Sequence, residues 1–439
     1  MRKNINPQTT IWDVFPENSV AQQFKEISLL LDSCPEIREW AAADLRSDNT
    51  QNTGRQGVSV DSIIRAAILK QMMSLSYDQL SFFISDSQTF QAFTRVGSRP
   101  PSRSALQHGI AAISAETWED INRKLLQTPQ FLSLEKGRTT RTDATVMETH
   151  IHQPSDSSLL EDGIRLIVRH LRSLKQKGKP VAMTDHTRSA KKHAQAIHFM
   201  RKSEKKDKVY KKLIRLARKT KDYLLNTTIL FGDQEREWRE ESKRLAYMVD
   251  CVIDQTERRV FRGESVPADE KLFSLHEPHT DIIVKGSRKT QYGHKLNLTS
   301  GKSGIIIDMV IEDGNPADST TALRMVERQV DVYGRAPRQV TFDGGYASKE
   351  NVAAIKAAGV KDVAFHKKRG LQLKTMVKSA AVYKKLVKFR AGVEGNIATL
   401  KAKYGMRRCN WRGYKHFQAY AWLGVTAYNL VTYARSLAR

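Results

Sequence analysis

The chain has 439 residues, with 73 Lys plus Arg against 47 Asp plus Glu, a formal net charge of +26. Hydrophobic residues make up 40% and charged residues 27%, ordinary globular proportions that exclude wholesale disorder and leave room for about two to four domains. No run of about 18 apolar residues occurs, so no transmembrane helix is expected, and the scattered Cys34, Cys251 and Cys409 form neither a disulfide framework nor a zinc-finger pattern.

Residues 1–57 read as a mixed N-terminal segment that lacks an apolar signal core and ends in a polar linker, RSDNTQNTGRQG. The expected location is the cytoplasm, at the nucleoid. A helical block follows over 58–136. In IIRAAILKQMM the apolar positions 63, 64, 67, 68 and 72 recur at helical spacing, a second helix starts near Tyr77, and a third follows Pro100-Pro101 with Ser102 as N-cap. Short helices joined by tight turns predict a helix-turn-helix-like DNA reader, with Arg103 as a candidate contact. Compact helical packing without DNA contact is the equal rival.

At 137 the pattern changes. KGRTTRTDATVMETHIHQP is alternating and β-branched, a strand that carries Asp143. A mostly helical, basic insertion is then expected over 156–285. Within it, residues 188–221 hold fourteen Lys or Arg against Glu204 and Asp207, a net of +12, and Lys211, Lys212 and Arg215 are candidate DNA contacts. Strands are predicted at 290–300 and 303–313, a helix at 318–333, a strand ending at Asp343, a helix at 348–358 and a strand at 361–365. A helical region containing Glu394 closes the chain. Residues 367–415 hold fifteen Lys or Arg against Glu394 alone, a net of +14, so the rest of the chain is neutral overall. Two such runs point to double-stranded DNA as the partner, because clustered cations replace condensed counterions on a phosphate backbone. No lipidation signal or amphipathic anchor points to a membrane.

With 156–285 set aside, the order is three meandering strands followed by helix, strand, helix, strand, helix. That predicts an α/β fold, a mixed five-stranded sheet with helices on its faces, in the order of the RNase H-like fold. The expected catalytic domain is 137–155 with 286–439.

This topology brings three acids together: Asp143 on the first strand, Asp343 at the carboxyl end of the fourth, and Glu394 on the late helix. In-line attack on a phosphodiester develops charge on the entering and leaving oxygens, and two divalent cations roughly 3.5–4 Å apart clamp both. Hard cations take oxygen ligands. The three acids are therefore the candidates for catalysis and for holding two Mg²⁺, with Mn²⁺ able to substitute. In Asp343-Gly-Gly-Tyr346 the glycines allow a sharp turn and leave room for a substrate backbone. Arg390, Glu394 and Lys401 fall on one helical face, where Arg390 and Lys401 would position flanking phosphates. Gly392 and Gly395 are small enough for close DNA approach. Lys285-Gly-Ser-Arg-Lys289 and His294-Lys295 read as further phosphate contacts.

Other features carry less. His150 and His152 read as surface residues, and His276-Glu-Pro-His279-Thr-Asp281 as part of the active-site rim or a DNA contact, without the third ligand zinc requires. Gly301-Lys302-Ser303 lacks the P-loop's earlier glycine, position 296 being Leu. Glu148, Glu350 and Asp362 are rival third acids without a matched basic face.

On these residues the sequence resembles the DDE transposases of bacterial insertion sequences, in the group with a Tyr-Arg-Glu-Lys signature around the third acid. Arg390, Glu394 and Lys401 keep its spacing and Val387 replaces its tyrosine, while Asp143 in RTDAT and Asp343 in TFDGGY match the first two acids. The resemblance extends to the helical block. It implies a transposase that binds terminal inverted repeats, cleaves the element's ends by metal-assisted hydrolysis and joins the 3′-hydroxyls to target DNA, as a homodimer or larger synaptic assembly. Two alternatives stand beside it: an RNase H-like, structure-specific nuclease without strand transfer, and a non-catalytic DNA-binding protein derived from a transposase.

Overall fold

The computed structural model describes residues 19–46, 57–97, 100–201, 204–231, 235–284 and 289–437; the first 18 residues and most of the expected linker lie outside them. Eight helices open the described chain: α1 (Ser19–Asp32), α2 (Glu36–Leu45), α3 (Val60–Met72), α4 (Tyr77–Asp86), α5 (Gln88–Thr94), α6 (Arg103–Ala112), α7 (Ala115–Gln127) and α8 (Pro129–Leu134). Strand β1 (Thr139–Glu148) leads into α9 (Asp156–Gln176), α10 (Thr187–Phe199), α11 (Glu204–Phe231) and α12 (Arg236–Val260). Then come β2 (Asp281–Ile283), β3 (Gln291–Ser300), β4 (Ile306–Ile311), α13 (Ala322–Tyr333), β5 (Gln339–Phe342), α14 (Lys349–Ala357) and β6 (Asp362–Phe365). Helices α15 (Leu373–Met376), α16 (Ala380–Arg390), α17 (Gly392–Lys403) and α18 (Tyr414–Leu437) follow.

Contacts divide the chain into two compact units, Met1–Thr149 with Gly293–Arg439, and His150–Tyr292. In the first unit the strands run β4-β3-β1-β5-β6. Strand β3 is antiparallel to β1 and β4, while β5 is parallel to β1 and β6. Five strands were expected and six are present; the extra one, β2, has three residues, too few to show an alternation. Gly293 faces Glu148 across the β1–β3 ladder, and a Cβ there would lie 2.6 Å from the Glu148 Cα, so only glycine fits.

The helical block expected as a separate DNA reader has no core of its own. Ser59 caps α3, its hydroxyl accepting from the Ser62 amide at 3.1 Å, and every residue from Val60 to Gln71 is buried. Helix α3 packs against α2, α5, α6 and α18, and its apolar residues share one cluster with α18, β3 and β4. A helix buried on every side presents no face to a DNA groove. Its polar flank is satisfied internally: Arg65 and Arg95 are gripped by Asp32 and Asp61. A second apolar cluster lines β5 and β6 against α13, α14 and α16.

The second unit is a helical assembly with a core of its own. Ser155 opens α9 with a capping box to Ser158, and Leu160, Ile164, Ile167, Leu171 and Leu174 follow at helical spacing on its buried side. Helix α9 packs on α10, α11 and α12. His170 stacks on Trp238 with ring centroids 4.6 Å apart. No helix among the described residues is long and apolar enough to cross a membrane.

Candidate active site

The parallel pairing of β1 and β5 sets Thr142 opposite Phe342, so the next residue on each strand is an aspartate. Asp143 is held within β1, opposite Leu298 of β3. Asp343 is the first residue beyond β5 and starts a single 3₁₀ turn over Gly344–Tyr346. Glu394 lies in the first turn of α17, a helix that packs on β1.

One side chain joins the three. The Arg390 guanidinium donates to Asp143 Oδ2 at 2.8 Å and Glu394 Oε1 at 3.0 Å, and lies 3.6 Å from Asp343 Oδ1. Its own side chain is 10% exposed, whereas those of Asp143, Asp343 and Glu394 are 15%, 41% and 64% exposed. The arrangement is a funnel of carboxylates, closed at the bottom by a cation and open at the top. Three negative groups face one positive one. Among the described residues no set of three His, Cys, Asp or Glu side chains is drawn together as a metal cluster; these acids turn to the guanidinium instead. The donor set still suits a hard divalent cation, because every donor is a carboxylate oxygen.

The expected continuous helix carrying Arg390 and Glu394 is broken. Helix α16 ends on Arg390 and α17 starts at Gly392, with Ala391 between them. A Cβ at Gly392 would collide with the Arg141 guanidinium, which packs there and donates to Phe389 O at 2.9 Å, Asn396 Oδ1 at 2.9 Å and Ser300 Oγ at 3.0 Å. The space at Gly392 therefore serves an internal arginine, not DNA; at Gly395 it is open. Arg141 escaped the sequence reading. Its signal is the period of two, which puts residues 141 and 143 on one face of the strand.

The two glycines after Asp343 likewise fill intramolecular contacts. A Cβ at Gly344 would lie 2.9 Å from the Lys367 Cβ, and one at Gly345 would lie 2.7 Å from Asp318 Oδ2. Tyr346 is buried, its hydroxyl donating to Asn297 Oδ1 at 2.7 Å. Burial, followed by the charges of Asp318, Asp143, Glu312 and Asp343, holds that phenol well above its ordinary pKa.

One expected DNA contact is corrected. Lys295 is 2% exposed; its ammonium donates to Pro316 O at 2.6 Å and pairs with Asp318, so it props the loop beneath Gly345 and has no surface to offer a phosphate. Arg390 is turned to the three acids in this structure. Lys401 sits half-buried in the last turn of α17. Arg103 opens α6, exposed and 3.5 Å from Asp78. In the second unit Lys211, Lys212 and Arg215 are exposed on α11, opposite its buried Leu213, Ile214 and Ala217. Of the expected phosphate-contact run 285–289, residues 285–288 lie outside the described residues.

Glu148 is paired with Arg408, Glu350 lies in the first turn of α14, and buried Asp362 accepts from the Lys378 amide and Gln339. In the second unit His152 and His276 both approach Asp162, at 3.6 and 3.7 Å, and His279 lies 2.8 Å from Glu277.

Residues 251–430 match the family model described as a transposase DDE domain. The matched stretch contains Asp343 and Glu394 and begins after Asp143. It supports a transposase function in general, with DNA as the substrate polymer, and DDE transposases generally use divalent metal ions. No curated protein and no solved structure matches the chain.

Proposed function

We propose that the chain is a metal-dependent DNA transposase with an RNase H-like catalytic domain. It binds the terminal inverted repeats of an insertion sequence, hydrolyses a phosphodiester at each end and joins the freed 3′-hydroxyls to target DNA. The observation that carries this reading is the meeting of Asp143, Asp343 and Glu394, from three separate elements, on the single guanidinium of Arg390.

Asp143, Asp343 and Glu394 are the residues that would hold divalent ions, Mg²⁺ in the cell. Such ions supply an activated water and charge stabilisation at both reacting oxygens. The chain's own residues set the frame for this. Asp143 is fixed within β1 and Asp343 directly follows the β1–β5 pairing, so the two keep their separation. Glu394 stands on a short helix behind a backbone break and is the most exposed of the three, so it is the acid best able to adjust. Arg390 neutralises part of the cluster, and with the acids holding metal its guanidinium would be available to a phosphate. No protein nucleophile is required, so no covalent protein–DNA intermediate forms.

The test is cleavage of duplex DNA carrying the element's own ends, in Mg²⁺, by the wild type and by Asp143→Asn and Glu394→Gln variants with verified folding. The reading predicts loss of cleavage in both variants and, for the wild type, joining of pre-cleaved ends to a target plasmid. Variants that still cleave would overturn the assignment. Cleavage without joining would identify a nuclease.

A further inference from the structure

The first unit contains a cavity of ≈ 530 Å³ in which the last turn of α3 meets the loop before α18. That volume falls within the range of small-molecule sites. Lys70 lines it and is 4% exposed. Among the described residues its ammonium meets no carboxylate and no hydrogen-bond acceptor. It lies instead over the rings of Tyr77 and Trp411, at 4.8 and 6.0 Å from their centroids. The Trp411 indole Nε1 is also buried without a partner. At the mouth stand Arg103, Arg412 and His416, with Asp78 as the one acid, lying 3.5 Å from Arg103.

A buried ammonium without an anion is costly, and ring faces return only part of its hydration energy. Desolvation draws the Lys70 pKa down to about 8. The fold gains nothing from the charge that a methionine of similar length would not supply. The contrast with Lys295, equally buried but paired with Asp318, shows how this chain treats a lysine that serves structure alone.

We propose that this cavity is an oxyanion site that takes the phosphate group of a nucleotide, with Lys70 and the Trp411 indole as its inner donors and Arg103 and Arg412 at its mouth. The ligand is identified by its chemistry. Two inner donors suit one oxyanion, the outer arginines suit a neighbouring phosphate, and the volume accommodates about one nucleotide. The source is a DNA strand or a free nucleotide. The choice of a nucleotide over other phosphate esters rests on the proposed DNA chemistry; the oxyanion site itself does not.

The experiment uses the full chain. Inorganic phosphate, a deoxynucleoside monophosphate and a short 5′-phosphorylated oligonucleotide are titrated by calorimetry, in parallel with mass-spectrometric protection of Lys70 from amine acylation. At least one phosphate ligand should bind saturably and protect Lys70, Lys70→Met should weaken that binding at least tenfold, and Lys70→Arg should restore most of it. Protection by the oligonucleotide alone identifies a strand, and protection by the mononucleotide identifies a free ligand. Equal acylation of Lys70 at saturating concentrations of all three ligands, or unchanged affinity in Lys70→Met, would overturn the proposal. Asp343→Asn should leave this binding intact, so failure of the catalytic reading and failure of the oxyanion site are told apart.

Discussion

Two arginine–carboxylate centres in the first unit use the same chemistry to opposite ends. In the helical block, Arg65 and Arg95 face Asp32 and Asp61, two charges against two. The arginine side chains are 0% and 1% exposed, and Arg65 also donates to Ser28 Oγ at 2.6 Å. Beside the inner strands β1 and β5, Arg390 meets three acids whose exposure rises from Asp143 to Glu394. The balanced, sealed network fixes where helices sit. The open one has a path to solvent. Access to the acids separates the two: the side chains of Asp32 and Asp61 are 18% and 8% exposed, those of Asp343 and Glu394 41% and 64%.

The sharpest way to break this comparison is to remove one charged partner from each centre. Asp143→Asn should reduce end cleavage by more than the roughly 10–100-fold that follows loss of a ligand's outer partner, while its melting temperature stays near wild type; gel-based cleavage and calorimetry read both. Arg65→Ala acts the other way. It leaves Asp32 and Asp61 to share Arg95 and should cost about 3–5 kcal/mol of stability, read as a fall in the urea midpoint; a change below 1 kcal/mol would remove the distinction between the centres. Gly392→Ala tests the backbone break, because its methyl group must displace the Arg141 guanidinium. It should cost about 1–3 kcal/mol by overpacking and lower cleavage with it.

A finer prediction concerns pH. The buried Lys70 ammonium titrates at about 8, against an ordinary value of 10.5. Between these values the unfolded chain holds a proton that the folded chain has released, so stability rises with pH across that window; below it the buried charge is a constant penalty and the slope from this group is zero. The Tyr77 ring and Cys409 also face Lys70, and Tyr420 acts on Tyr77. Subtracting the melting profile of Lys70→Met isolates the lysine. The smallest effect is expected on the basic face of α11, where Lys212→Ala should lower the salt dependence of DNA binding by about one phosphate contact.

What the sequence revealed follows from the range of each signal. The alternation around Asp143 and the strand ending at Asp343 are local patterns, and the register of two neighbouring strands then aligns the acids. Helix α3 misled for a physical reason. Its apolar spacing marks one face, but the opposite face is also buried, because Arg65 finds its partners on α1 and the rest packs on α18, far along the chain. Lys295 resembled a surface base because its acid, Asp318, lies beyond the next strand. The i, i+4 spacing puts Arg390 beside Glu394, but nothing local reports that the two aspartates meet the same guanidinium.

The placement of the second unit has a consequence for biosynthesis. The chain leaves the sheet after Glu148 and returns at Gly293, its cross-strand neighbour. Residues 150–292 carry their own apolar core and can close over it soon after leaving the ribosome. The helices made before them cannot. The buried sides of α3 and β1 wait for β3, β5 and α18, which are translated after them, so elements made early stay exposed to water until later ones emerge. Chaperone demand, and the danger of aggregation, therefore falls on the helices that precede β1.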